Sequence, residues 1–104
     1  MNPAKNRQRG KATERAVAKL TGGKRIGILG NDDVQAGLWS IEVKDRVRFI
    51  GATFMQQAIR NCPKDKTPLV VVHVTGQRHA DDLVMIRLAD WLDYYGPLKG
   101  ENQP

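Results

Sequence analysis

Cysteine, aromatic residues and long apolar runs are scarce in this sequence of 104 residues. The single cysteine, Cys62, excludes an internal disulfide framework and any zinc site built on cysteines. No apolar run approaches the roughly 18 residues of a membrane-spanning helix, and the start MNPAKNRQRGK lacks the apolar stretch of a secretory signal. We therefore expect an intracellular, cytoplasmic protein without a membrane partner. The length predicts one domain with a thin hydrophobic core.

Basic residues exceed acidic ones, and the excess lies in the first third of the chain. The formal net charge is +6. Residues 1–30 contain eight Lys or Arg and one acid, whereas residues 31–104 contain nine basic and ten acidic residues. Polyanions are the first partners that this charge indicates, although charge alone does not separate nucleic acid from an acidic protein. Residues 1–9 are typical of a basic, flexible arm.

Hydrophobic periodicity predicts alternating helices and strands along the rest of the chain. The predicted helices cover 10–21, 49–62 and 89–95, and the predicted strands cover 24–28, 38–44, 69–74 and 83–87, with 34–37 as an ambiguous short strand and turn. The apolar, β-branched run at 69–74 is typical of a strand covered on both faces. The helix between the second and third strands indicates a crossover within a mixed sheet that has helices on both sides. We expect one domain over 10–97 and a frayed tail over 98–104.

The most informative residues are an acid in a turn and an acid–base pair on a strand. Asp33 follows a Gly-Asn turn, and Glu42 and Lys44 project from one side of a predicted strand that Val43 anchors in the core. If the turn folds back beside the strand, two carboxylates meet next to an ammonium group. Such oxygen ligands suit Mg²⁺ or Mn²⁺, which activates a bound water and polarises a phosphate, while Lys44 orients that water or offsets developing charge. Taken singly, each part is also typical of an ordinary turn or of a solvated strand face.

The whole pattern resembles the PD-(D/E)XK nuclease superfamily, and its compact layout resembles the archaeal and phage-type Holliday-junction resolvases. The shared features are a Glu in the first helix, an Asp after a Gly-bearing loop, an E-x-K strand and an amphipathic helix with Gln, over about residues 10–75. The resemblance implies a restriction-endonuclease-like α/β fold, with a mixed β-sheet flanked by helices and an α-β-β-β-α-β core. It also implies hydrolysis of DNA phosphodiester bonds with Mg²⁺ or Mn²⁺, and selectivity for Holliday junctions or other branched DNA.

The resemblance assigns roles to individual positions. The implied catalytic residues are Glu14, Asp33, Glu42, Lys44 and Gln57, with Gln56 as the competing assignment for the last. The implied metal-binding positions are Asp33, Glu42, Val43 and Glu14. The residue before the motif aspartate, usually Pro, is Asp32 here, and the preceding loop lacks the Ser that resolvases often carry.

Several basic residues flank these positions, and we expect them to contact DNA phosphates. They are Lys11, Arg15, Lys24, Arg25, Arg46 and Arg48. Because a branched DNA is cut on two strands, a domain with one site predicts a homodimer, with apolar surface from residues 83–95. We interpret His73 as a packed or sheet-edge histidine and His79 as part of a solvated turn.

Two other functions fit parts of the pattern. A non-catalytic nucleic-acid-binding module with a nuclease-like fold predicts salt-sensitive DNA binding without metal dependence. An interaction protein whose basic arm binds an acidic partner predicts no affinity for DNA.

Overall fold

The structure is a computed structural model that describes residues 3–28 and 32–96. Its elements are α1 (Pro3–Thr21), β1 (Lys24–Arg25), β2 (Val34–Ala36), β3 (Trp39–Ile41), α2 (Gly51–Asn61), β4 (Val70–Val72), a 3₁₀ turn (His79–Asp81), β5 (Leu83–Met85) and α3 (Leu88–Tyr95). The α/β class is therefore confirmed, and the order of elements follows the predicted α-β-β-β-α-β core. The chain forms two compact units, of which the second is Val47–Tyr94 and the first contains the remainder.

The strand pairings differ from the predicted mixed sheet. In the first unit β2 lies between β1 and β3, and in the second unit β4 pairs with β5. Every pairing in the described part of the chain is antiparallel, whereas a mixed sheet requires a parallel pair. The physical reason is that strands joined by a short connection lose less chain entropy when they pair with each other than distant strands do.

The first helix is longer than predicted, because it includes residues 3–9, which the sequence predicts to be a flexible arm. Pro3 stands at the first helical position, where a missing N–H costs no hydrogen bond. The helix then ends at Thr21 in a Schellman motif: the Gly22 N–H bonds the Lys19 carbonyl and the Gly23 N–H bonds the Ala18 carbonyl. Gly22 has φ 72°, the left-handed conformation that this motif needs.

A small core joins α1 to the first sheet. Val34 and Ala36 are buried and Gln35 between them is exposed, as the alternation of a strand requires. Ala18 and the fully buried Thr21 are the buried residues of the helix, and the Thr21 hydroxyl donates to the Val17 carbonyl at 2.8 Å. This packing holds α1 beside β2 and thereby positions the residues of the site described below.

The E-x-K segment is only partly a strand. β3 ends at Ile41, so Glu42 and Lys44 lie in an extended segment just beyond it rather than within a strand over 38–44. The predicted alternation nevertheless continues: Ile41 and Val43 are half-buried, and Glu42 and Lys44 are exposed. The strand ends there because β2, its only partner among the described strands, begins at Val34, which pairs with Ile41.

The second unit consists of α2, the β4–β5 hairpin and α3. The amphipathic helix predicted over 49–62 is confirmed at Gly51–Asn61, and it ends before Pro63. Val71 is 56% exposed, so the prediction that β4 is covered on both faces is wrong. A hairpin has two faces, and α2 contacts β4 on one of them, while Val71 on the other face stays exposed.

Two predicted features lie outside the described residues, namely the Leu-Gly-Asn part of the turn at 29–31 and the tail at 98–104. In the parts that the structure describes, no helix is both long enough and apolar enough to cross a membrane.

Candidate functional site

A cleft of about 300 Å³ in the first unit contains two of the predicted metal-binding residues. One wall is a single face of α1, because positions separated by three, four and seven residues lie above one another on a helix. The residues of this face are Arg7, Gly10, Lys11 and Glu14. The opposite wall is formed by Arg25–Ile28 together with Asp32 and Asp33. Packing of α1 on the sheet therefore brings Glu14 and Asp33, which are 19 residues apart in sequence, to one opening.

Glu14 forms an ion pair inside this cleft. The Arg25 Nε donates to Glu14 Oε1 at 3.0 Å, and both side chains are largely shielded from solvent. A charge-assisted hydrogen bond of this kind holds the carboxylate in one orientation. Arg25 is thus an ion-pair partner of Glu14. The sequence predicts in addition that Arg25 contacts a DNA phosphate.

Asp33 is held by its backbone and by its side chain. Its N–H donates to the Ile41 carbonyl at 3.0 Å, and its carbonyl accepts from the Ile26 N–H at 2.9 Å. Its Oδ2 accepts a hydrogen bond of 2.7 Å from the Val43 N–H. The turn therefore does fold back beside the E-x-K segment, and Asp33 meets Val43, another of the predicted metal-binding positions.

Asp32, which stands where the resembled family usually has Pro, has a different role. Its two carboxylate oxygens accept from the Ser40 hydroxyl at 2.6 Å and from the Gln35 amide at 3.2 Å. These bonds tie Asp32 to β2 and β3.

Glu42 and Lys44 pair with each other instead of lining the cleft. Lys44 Nζ lies 2.9 Å from Glu42 Oε2, and the two side chains are 62% and 57% exposed. Among the described residues, Glu14, Asp33 and Glu42 do not bring three ligand atoms within 4.8 Å of one another. The predicted cluster is consequently divided into Glu14 with Asp33 in the cleft and Glu42 with Lys44 on the surface.

The cleft carboxylates fit a hard divalent cation by their chemistry. Mg²⁺ is typically bound by one or two carboxylates, several waters and a substrate phosphate. Among the described residues, the hydrogen bonds of these side chains use one oxygen of Glu14 and one of Asp33, and the second oxygen of each is available to a ligand. Glu42 does not line the cleft, so it is not part of that donor pair.

The predicted DNA-binding residues are distributed over both units. Lys11 lines the cleft, and Arg15 and Lys24 are exposed near it on α1 and β1. The exposed Arg46 donates to the Asp45 carbonyl at 3.0 Å. Arg48 is exposed in the second unit.

Gln57 also belongs to the second unit, where it lines a groove of about 580 Å³ between α2 and β4. Gln56, the competing assignment, is exposed and does not line this groove. Gln57 shares this groove with Phe54, Asn61 and the residues of β4.

A second polar cluster was not expected from the sequence. His73 and His79, interpreted above as a sheet-edge residue and a turn residue, both contact Asp82. The only sequence signal is the spacing H-x₅-H-x₂-D, which has no recognisable periodicity. Their proximity depends on the closing of the β4–β5 hairpin.

No protein-family model, curated protein or solved structure matches this chain.

Proposed function

We propose that this protein is a metal-dependent endodeoxyribonuclease that hydrolyses DNA phosphodiester bonds, with preference for branched DNA such as Holliday junctions. The observation that carries the proposal is the cleft in which Glu14 and Asp33 lie together with Arg7, Lys11 and Arg25. Carboxylates that suit a cation and basic groups that suit phosphate occupy one opening, as hydrolysis of a phosphodiester requires. The order of helices and strands agrees with the α-β-β-β-α-β order of the resembled nuclease family, although the strand pairing differs from its mixed sheet.

Under this proposal each cleft residue has a defined task. Glu14 and Asp33 would hold Mg²⁺ or Mn²⁺, and such an ion would supply an activated water and neutralise charge on the phosphate. Arg25 keeps the Glu14 carboxylate in place, and the Val43 N–H does the same for Asp33. Arg7 and Lys11 attract and position the DNA backbone, since basic side chains at phosphates set register without reading sequence.

The proposal also includes Lys44 and Glu42, although neither lines the cleft. The exposed Lys44 ammonium is the group that the resemblance assigns to the water and to the charge that develops on the phosphate. Lys44 is paired with Glu42, so this ion pair must open before the Lys44 ammonium can act on the water or the phosphate. The same resemblance includes Gln57, on the following helix, among the catalytic residues.

Cleavage of a four-way junction and of a linear duplex, each with Mg²⁺, Mn²⁺ or EDTA, tests the proposal. We expect metal-dependent products, faster on the junction, and their loss in Asp33→Asn and Lys44→Ala. Asp65→Asn and Lys66→Ala make the same chemical changes at exposed positions of the second unit, and we expect them to retain full activity. Equal activity in wild type, Asp33→Asn and Lys44→Ala would contradict the assignment.

The dimer is part of the same proposal, because two strands of a branch need two sites. Leu83, Val84, Tyr94 and Tyr95 are all more than half exposed, which supplies apolar surface for self-association. Light scattering during gel filtration should give twice the chain mass. A monomer with undiminished junction cleavage would contradict this point.

A non-catalytic nucleic-acid-binding protein is the second candidate, and one observation favours it. The E-x-K pair forms a closed, exposed ion pair apart from the cleft carboxylates. This function predicts DNA binding in EDTA with no products under any metal. The logarithm of the affinity should fall with the logarithm of salt concentration, with a slope of roughly −0.9 per neutralised phosphate of a duplex. Lys11→Ala or Arg15→Ala should then each make that slope less steep by roughly 0.9, the value for one phosphate contact.

A further inference from the structure

A cluster of two histidines and one aspartate closes the β4–β5 hairpin. Val72 pairs with Leu83 at the end of the ladder, so His73 and Asp82 are the next residues on the two strands as they separate. His79 begins the 3₁₀ turn that precedes Asp82. Residues three apart in a 3₁₀ turn lie over one another, and this places His79 above Asp82.

The three side chains converge on a small volume. His73 Nδ1 lies 2.6 Å from Asp82 Oδ1, and His79 Nδ1 lies 3.1 Å from Asp82 Oδ2. The two imidazole rings are stacked, with centroids 4.3 Å apart and planes inclined by 29°. One ligand atom from each residue lies within 4.8 Å of the other two.

The environment of the cluster is asymmetric. The Asp82 side chain is only 11% exposed, whereas His73 is 36% and His79 is 85% exposed. The carboxylate therefore lies at the shielded end of the cluster, where both rings contact it. Solvent reaches the cluster from the His79 side. Arg78 and Asp81, the nearest other charges in the turn, pair with each other.

We propose that His73, His79 and Asp82 bind a divalent transition-metal ion of the Zn²⁺ type. Two imidazole nitrogens and one carboxylate oxygen are a ligand set that Zn²⁺, Co²⁺ and Ni²⁺ accept, whereas Mg²⁺ prefers oxygen ligands alone. Three protein ligands with a solvent-accessible side leave a fourth position for water. The site is distinct from the cleft at Asp33 in both its residues and its metal class, and it does not depend on the proposed nuclease activity.

Each histidine binds a metal ion through a ring nitrogen that carries no proton. Each neutral imidazole carries its proton on one ring nitrogen, and coordination through Nδ1 places that proton on Nε2. The His79 side chain is 85% exposed, so water has access to its ring. The bound ion replaces the two His–Asp hydrogen bonds with three coordinate bonds, one to each ligand, and it links the two ends of the hairpin connection, which stabilises the second unit by mass action.

Titration of the full-length protein with Co²⁺, followed by its visible absorption and by competition with Zn²⁺, tests this site. We expect wild type to bind one Co²⁺ per chain and Zn²⁺ to displace it. His79→Gln changes the most exposed ligand, so the fold is retained, and we expect affinity to fall by more than about 100-fold, since loss of even an outer-shell partner costs about 10- to 100-fold. Thermal unfolding should show a Zn²⁺-dependent rise in Tm for wild type that this variant lacks.

Two variants separate this site from other acids in the chain. Asp81→Asn removes the exposed acid adjacent to Asp82, and Asp33→Asn removes the cleft acid, and both should bind Co²⁺ as wild type does. Equal Co²⁺ binding by wild type and His79→Gln would overturn the proposal and leave a hydrogen-bonded His–Asp–His cluster only. Loss of Co²⁺ binding in Asp81→Asn or Asp33→Asn would also overturn it, because the ion would then lie elsewhere.

Discussion

Replacing Asp33 by alanine and by asparagine separates its structural task from its proposed role at the metal. The Asp33 carboxylate accepts a 2.7 Å hydrogen bond from the half-buried Val43 N–H. A hydrogen bond to a charged group contributes about 1.5–3 kcal/mol, and a neutral one is roughly half as strong. Alanine leaves the Val43 N–H without its acceptor and should cost about 2 kcal/mol, whereas asparagine keeps an amide oxygen there and should cost about 1 kcal/mol.

Thermal unfolding followed by circular dichroism measures this difference. For a chain of this size 1 kcal/mol corresponds to about 4–8 °C in Tm, so Asp33→Ala should lower Tm by about 10 °C and Asp33→Asn by about 5 °C. Hydrogen exchange at the Val43 amide gives a local reading: protection should be lost with alanine and largely kept with asparagine. Both variants should lose DNA cleavage, because neither has the carboxylate.

Asp65→Asn and Asp65→Ala are the matched controls, and we expect them to leave Tm within about 1 °C, since exposed substitutions usually change stability by less than about 0.5 kcal/mol. The reasoning is refuted if Asp33→Ala is as stable as wild type. It is also refuted if Asp33→Asn loses as much stability as Asp33→Ala, since the charge and not the acceptor would then be the source of the stabilisation.

Two further predictions concern how α1 is held. Gly10→Ala should stabilise the protein by about 1 kcal/mol, because alanine favours a helix and nothing lies within 4 Å of the added carbon. Gly23→Ala should destabilise it by about 2 kcal/mol, because the added carbon would lie 2.5 Å from a backbone oxygen of β2. Opposite shifts in Tm are therefore expected, and shifts of the same sign would contradict the packing. Asp45→Ala removes the acceptor of the Thr13 hydroxyl and the partner of Arg9, which lies 3.1 Å away. It should cost about 1–2 kcal/mol and speed hydrogen exchange in the first turns of α1, and unchanged exchange there would show that Asp45 does not hold them.

Local signals in the sequence were sufficient for most elements. The Gly22-Gly23 pair marked the end of α1, and Pro63 marked the end of α2, because glycine and proline act on the backbone of their immediate neighbours. The alternation around Glu42 held for exposure even where the strand itself had ended. Local patterns were less reliable at the first residues of α1, where Arg9 and Asp45 interact across a long stretch of sequence.

Tertiary structure decided which of the candidate residues meet. The sequence left open whether the Asp33 turn folds back beside the E-x-K segment, and only the structure shows that its carboxylate accepts a bond from the Val43 N–H. The pairing of Glu14 with Arg25 required the packing of α1 on the sheet. The same packing left Glu42 and Lys44 outside the cleft.

The sequence by itself therefore determined the alternation of helices and strands, the turn residues, the concentration of positive charge in the first third and the inventory of carboxylates. All of these depend on composition or on neighbours a few residues apart. The cleft shared by Glu14 and Asp33 and the cluster around Asp82 depend instead on strand register and on helix packing. A shift of one residue in strand register would turn the strand side chains to the opposite face of the sheet, and a different packing of α1 would turn Glu14 away from the cleft, so only the tertiary structure brings these residues together.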